Sequence, residues 1–267
     1  MLVCTLAKSP PPMLSFDPVQ HILKHYWLLI KGTFNDARAY YNFAQGGNII
    51  ERKTDFAKPG LKLVLLLHGF GTTRKSVAIL EQRLRDDGFD VFSINLGGFL
   101  KRLNTNGIDD LAWKVKIKID SLYERHKIER FTIIGHSKGG LIGRYYVSCL
   151  GGNEHVKALI TLGTPHNGNW WALLAALSVI GIFSKSLWQM MPVSRFIKRL
   201  RNTPIPEDVS AVSIYSCDDE VVPAVRSRLD IPKGTTHIKN VELFGYSHTD
   251  YLIKRGVYEV IKGALSS

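Results

Sequence analysis

Hydrophobic and polar residues alternate in blocks along most of the chain. Leu61–Leu67 (LKLVLLL) is a short, dense apolar run, as expected of a parallel strand buried on both faces. Thr73–Asp87 then shows helical periodicity and stops at Gly88. Further strands are expected at Phe89–Asn95, Phe131–Ile134, Val156–Leu162, Val209–Tyr215 and about Lys239–Phe244. Between them, Ile108–His126 and Lys138–Leu150 read as helices, and Asp250–Leu265 reads as a closing helix. Strands alternating with helices of this length predict a mostly parallel sheet with helices on both faces. Ahead of this, residues 1–57 divide into a proline-broken arm and a helix from Asp17 to about Phe43, with Asp17 and Pro18 suited to N-cap and N1. The remaining 58–267 form the α/β core.

Composition narrows the class. A chain of 267 residues suits one α/β domain with an insertion. With 35 Lys+Arg against 23 Asp+Glu, the formal charge of +12 favours anionic partners and says nothing of fold. Basic residues are spread along helices without the aromatic interleaving of a nucleic-acid path, so no specific nucleic acid is expected. Cys4, Cys149 and Cys217 have no metal-ligand or redox spacing; one Cys149–Cys217 bridge is left open. No metal, no cofactor and no transmembrane segment are expected. The N-terminal apolar stretch is too short for a secretory signal, which makes the cytoplasm the default location and leaves a processed, secreted chain open.

The most specific feature is Gly135-His136-Ser137-Lys138-Gly139-Gly140, placed directly after one expected strand and before a helix. It fits G-x-S-x-G in the strand–turn–helix context that gives the motif meaning. A serine raised on such a bend sits in strained backbone, and flanking glycines remove the collisions. His68-Gly69-Phe70-Gly71 follows the first strand, where acyl transfer needs a loop presenting a backbone N–H to a developing oxyanion. The oxyanion donors are assigned to the N–H groups of Phe70 and Lys138. His68 reads as a structural hydrogen-bonding residue.

Taken together, LVLLLHGFG, IIGHSKGGLIGRYYV, LITLGTPHNG, YSCDDEVVP and GYSHTDYL resemble, in order, the successive signatures of bacterial lipases and esterases of the α/β-hydrolase superfamily. The similarity runs from about Leu61 to Leu252. It implies the α/β-hydrolase fold and ester hydrolysis by a Ser, Asp, His triad under a helical lid. Ser137 is then the nucleophile. His248, after the last strand in Tyr246-Ser247-His248-Thr249, is the base. The candidate acids after the fifth strand are Asp218, Asp219 and Glu220. The family pattern selects Asp219, with the adjacent Asp218 and, more remotely, Asp250 as alternatives, and the other carboxylates of the cluster as solvated loop residues or N-caps. In GTPHNG, His166 is given a structural role.

The segment 169–206 is read as the lid. It opens with WWALLAALSVIGIF, too short to span a bilayer, and ends in the basic run Ser194–Arg201. No Asp or Glu occurs between Glu154 and Glu207. Trp170, Trp171, Leu174, Leu177, Ile180 and Trp188 are the expected substrate-facing lid residues. The plainer alternative is a helix pair buried in the core. A cationic, aromatic-rich lid suits medium- or long-chain lipid esters and peripheral association with an anionic lipid surface. Acyl transfer or phospholipase activity on the same triad, and a non-catalytic lipid- or nucleic-acid-binding protein, are the competing functions.

Overall fold

The computed structural model describes residues 62–94, 96, 106–172 and 184–266. The expected N-terminal helix, Asp17 to about Phe43, lies outside these residues, as do Leu174, Leu177 and Ile180. Six strands form one sheet: β1 (Leu63–Leu67), β2 (Asp90–Ser93), β3 (Phe131–His136), β4 (Val156–Leu162), β5 (Ser210–Ser216) and β6 (Ile238–Leu243). Their order across the sheet is β2-β1-β3-β4-β5-β6, and every neighbouring pair is parallel.

Why these runs become strands is visible in their burial. All five residues of β1 and all six of β3 are buried. Alternate side chains feed two separate cores, as the two-residue repeat of a strand requires. Leu63, Leu65 and Leu67 join Phe131 and Ile133 under α2 (Ile108–His126) and α3 (Lys138–Cys149). Val64 and Leu66 join Ile134, Ile160 and Ile214 on the opposite face. That second core is covered by α1 (Ala78–Asp86) and by the C-terminal helices. A short 3-10 turn, Arg74–Val77, leads into α1, and Thr73 Oγ1 caps it by accepting from the Lys75 N–H.

The inserted segment continues with α4 (Lys185–Gln189) and α5 (Arg195–Asn202), and a single turn of helix, α6 (Ala224–Ser227), follows β5. Ser194 caps α5 by accepting from the Ile197 N–H. The basic run of α5 corresponds to the core alternative for this part of the insertion: Phe196, Ile197 and Leu200 are buried with Tyr145 of α3, while Arg195, Lys198, Arg199 and Arg201 stay outside. The C-terminal segment, expected as one helix, is two. Lys254 takes an extended ψ of 132°, which separates α7 (Asp250–Ile253) from α8 (Arg255–Ser266).

The chain order reverses at the centre of this sheet. From β1 it steps outward to β2, then returns past β1 to β3 and onward to β6. Such a switch point leaves a crevice at the carboxyl ends of β1 and β3, the usual place for a ligand in an open parallel sheet. Leu67 is in register with Gly135 there.

Candidate active site

Ser137 sits between β3 and α3 at φ 53° and ψ −123°. This is left-handed backbone that costs a non-glycine residue about 1–3 kcal/mol and persists only when the surroundings hold it. Three contacts do so. The Ser137 N–H donates to the Leu162 carbonyl at 2.8 Å, and its own carbonyl accepts from the Gly140 N–H at 3.1 Å and from Thr164 Oγ1 at 3.0 Å. The glycines serve close approach: a Cβ on Gly135 would lie 2.5 Å from Gly140, and one on Gly139 would collide with the Leu67 carbonyl.

The loop after β1 reaches the same place. A Cβ on Gly69 would stand 3.2 Å from Ser137 Cβ, so the backbone leading into Phe70 runs alongside the serine. Lys138 opens α3, where the first N–H groups of a helix lack intrahelical partners. The side chains of Phe70 and Lys138 also meet, with the ammonium 5.3 Å from the ring centroid. Lys138 is fully buried and also donates to Ser186 Oγ at 3.2 Å and to the Asn106 carbonyl at 3.5 Å. Burial pulls its pKa down to about 7.

His248 and Asp219 form a buried pair. His248 Nδ1 lies 2.9 Å from Asp219 Oδ2 and 3.1 Å from Oδ1. The same carboxylate accepts from the N–H groups of Val221 and Val222, at 2.9 and 2.8 Å, and from the Tyr251 hydroxyl at 3.0 Å. Asp218 points elsewhere, accepting from the Gly245 N–H at 2.6 Å, and Asp250 accepts from the Ser247 N–H at 2.8 Å. Of the four candidate carboxylates, Asp218, Asp219, Glu220 and Asp250, only Asp219 meets the imidazole. Burial pulls the His248 pKa down, but the charge and hydrogen bond of Asp219, with Glu220 behind them, outweigh this and raise it above its ordinary value. Glu220 Oε2 accepts from the His248 N–H at 3.2 Å.

The pair is tied to the elbow through the residue before Ser137. His136 Nε2 lies 3.0 Å from the His248 carbonyl, and the two rings are 4.7 Å apart between centroids. Burial, helped by the charge on His248, pulls the His136 pKa down to about 3, so it meets that carbonyl as a neutral donor. Sequence reasoning assigned no role to His136 or Tyr251, and Glu220, expected as a solvated loop residue or N-cap, instead supports the His248 backbone. Nothing near Tyr251 in sequence marks its bond to Asp219, 32 residues away.

The other singled-out histidines are buried in the scaffold. His166 lies 2.9 Å from Thr161 Oγ1 and 3.4 Å from Arg144, and His68 contacts the Gly69 carbonyl at 3.2 Å. Burial takes the His68 pKa down to about 4. Cys149 and Cys217 are both free, which closes the question of a bridge between them. Of the expected lid residues, Trp170, Trp171 and Trp188 are exposed. Trp188 belongs to α4, whose Ser186 touches Lys138. Among the described residues no helix is long and apolar enough to cross a membrane, and no group of three His, Cys, Asp or Glu is placed to hold a metal.

Known proteins share both sequence and fold with this chain. It is 28% identical over 115 residues to a triacylglycerol lipase of Pseudarthrobacter phenanthrenivorans, an alignment covering 41% of this chain and 34% of the relative. A triacylglycerol lipase of Burkholderia plantarii aligns with the same identity and length, covering 31% of that relative. The chain thus spans about a third of the length of these relatives. Among solved structures, the mature lipase BlEst2 of Bacillus licheniformis superposes with a TM-score of 0.62 at 17% identity, covering 80% of this chain and 96% of that one. Lipase B of Aspergillus fumigatus gives 0.65 at 21% identity, covering 82% of this chain and 55% of that one. The sequence model of the alpha/beta hydrolase fold matches residues 62–196, half of the chain. With its switch-point crevice, strained serine and parallel sheet, the chain belongs to the α/β-hydrolase fold family.

Proposed function

We propose that the protein is a carboxylic ester hydrolase that works through an acyl-enzyme on Ser137. The observation that carries this is a serine in strained backbone whose preceding residue, His136, contacts the carbonyl of an Asp219-paired histidine. Ser137 Oγ attacks the acyl carbon while His248 Nε2 takes its proton. Charge moves to the former carbonyl oxygen, where the N–H groups of Phe70 and Lys138 receive it. His248 then returns the proton to the leaving alcohol. Water, deprotonated by the same imidazole, releases the acid and restores the serine. Asp219 holds the imidazole with Nδ1 protonated and Nε2 free to accept, and offsets the positive charge the ring acquires.

The substrates are medium- or long-chain lipid esters. The resemblance to triacylglycerol lipases, the carboxylate-free stretch between Glu154 and Glu207 and the exposed Trp170, Trp171 and Trp188 support this class. The part of the insertion that carries the exposed Trp170, Trp171 and Trp188 contributes an acyl-binding lid, at whose surface anionic lipid is favoured.

A p-nitrophenyl ester series from acetate to palmitate, on wild type and Ser137→Ala, tests the reading. Wild-type hydrolysis should rise in kcat/KM beyond acetate and fall by at least about 10⁴-fold in the variant. Retained turnover in Ser137→Ala would remove the nucleophile; a preference for acetate would remove the lipid substrate.

A further inference from the structure

A second concave surface lies beside α4. Its lining includes Tyr145, Trp188, Arg195, Phe196 and Arg199, and its volume is about 370 Å³, in the range of small-ligand sites. Ser186, on α4, meets Lys138, whereas Lys185, Trp188 and Gln189 of the same helix line this cavity. We infer that it is a docking site for the phosphate of an anionic phospholipid at a bilayer surface.

The chemistry of the lining points to a phosphate. Arg195 and Arg199 are four residues apart on α5, hence on one face. Among the described residues neither is in an ion pair, while the cavity's one carboxylate, Asp109, is engaged by Lys185 at 3.1 Å and by the Gln189 amide at 2.8 Å. The cavity therefore presents two surplus guanidinium forks, the group best matched to phosphate oxygens. The Arg199 fork is also held in place. The Arg199 guanidinium lies 5.6 Å from the Tyr145 ring centroid, and Tyr145 stacks on Phe196 at 5.3 Å. Both rings are largely buried, so the floor is apolar and fixed.

The surroundings point to a membrane. Asp109, Trp113 and Ile117 recur every four residues along α2, so one face of that helix runs from the cavity to two large apolar side chains, 52% and 56% exposed. Lys114 and Lys118 are exposed beside them, and Trp188 at the cavity is 39% exposed. Exposed Trp and Ile interleaved with Lys is the side-chain set that settles at the headgroup level of a bilayer. A free phosphate compound would use the guanidinium groups and leave this apolar stripe without purpose.

The site does not depend on Ser137 chemistry, and its test uses Ser137→Ala protein throughout so that hydrolysis cannot alter the vesicles. Co-sedimentation with phosphatidylcholine vesicles is compared with phosphatidylcholine containing phosphatidylglycerol. Three proteins are used: the Ser137→Ala parent, its Arg195→Gln/Arg199→Gln derivative, and a Lys198→Gln/Arg201→Gln derivative that removes the same charge from exposed positions of α5 outside the cavity. The parent should prefer the anionic vesicles. The Arg195/Arg199 pair should lower that affinity about tenfold or more, and the Lys198/Arg201 pair by less than about threefold. Equal losses in the two derivatives would show diffuse charge and overturn the site, as would no loss in either. Glycerol phosphate at matched ionic strength, titrated without vesicles, separates the two sources of phosphate. Weak binding is expected; binding as tight as that to vesicles would overturn the membrane assignment.

Discussion

His136 Nε2 lies 3.0 Å from the carbonyl oxygen of His248, so the last residue of β3 supports the loop that carries the proposed base. The two residues are 112 apart in sequence, and this contact connects the bend at Ser137 to the C-terminal loop. Replacing the imidazole by a ring without a donor, His136→Phe, should lower kcat by about 10²-fold, the cost of misplacing a reacting group by roughly an ångström. KM should change little. His136→Gln, which restores an amide donor at a similar reach, should recover part of the loss. Equal losses in Phe and Gln variants, measured with well-folded proteins, would assign His136 to packing alone.

The choice between adjacent aspartates gives a sharper test. Asp219 meets the imidazole and three further donors, whereas Asp218 accepts from the Gly245 N–H. Asp219→Asn should reduce kcat about 10⁴-fold by favouring the wrong tautomer. Asp218→Asn, which keeps an acceptor for Gly245, should cost less than about threefold. Steady-state kinetics on both variants reads the difference directly.

The acid limb of the pH–rate profile should report His248. Only the neutral imidazole can take the serine proton, so activity falls as pH drops through its pKa, which is raised above 6.5. Glu220 contributes to that rise, so Glu220→Gln should move the limb to lower pH. The linked stability has the opposite pH sense. The protonated His248–Asp219 pair stabilises the fold fully below pH 6.5, and this contribution is lost as pH rises through the folded-state value. A limb that stays in place or moves upward in Glu220→Gln would contradict the assignment.

Lys138 carries a cost that should be visible in thermal melts. Its pKa is pulled from 10.5 to about 7 by burial. Between those values the unfolded chain binds the proton that the folded chain has released, so stability rises with pH there. The penalty is complete below pH 7 and fades towards pH 10.5. Lys138→Met should therefore gain in Tm relative to wild type at pH 6 and lose that advantage by pH 10. The variant gives up the bonds to Ser186 and Asn106 and the contact with Phe70, so its activity should fall by about tenfold even where it is the more stable protein.

Much of this arrangement was legible in local sequence. Ile108–His126 and Val156–Leu162 were read from periodicity with the bounds they have in the structure, because each is long or dense enough for one pattern to dominate. The elbow at Ser137 was readable because close backbone approach demands glycine at fixed offsets around it. The break at Lys254 was not, since the apolar spacing continues through it and only its backbone angle betrays it. Contacts made across the fold were equally silent. Nothing near His136 in sequence signals the His248 carbonyl, and nothing near Lys138 signals that α4 and Phe70 close over its side chain. The basic run of α5 hid a core element, because its apolar face, which the core takes, is interleaved with exposed Arg and Lys.

The central claim is that Ser137 is a nucleophile activated by His248. Incubation with a fluorophosphonate, followed by mass mapping of the adduct, measures this with no assumption about the substrate. One adduct on Ser137 is predicted, slowed by several orders of magnitude in folded His248→Ala. An unlabelled Ser137 in folded wild-type protein, or labelling at an unchanged rate without His248, would contradict it.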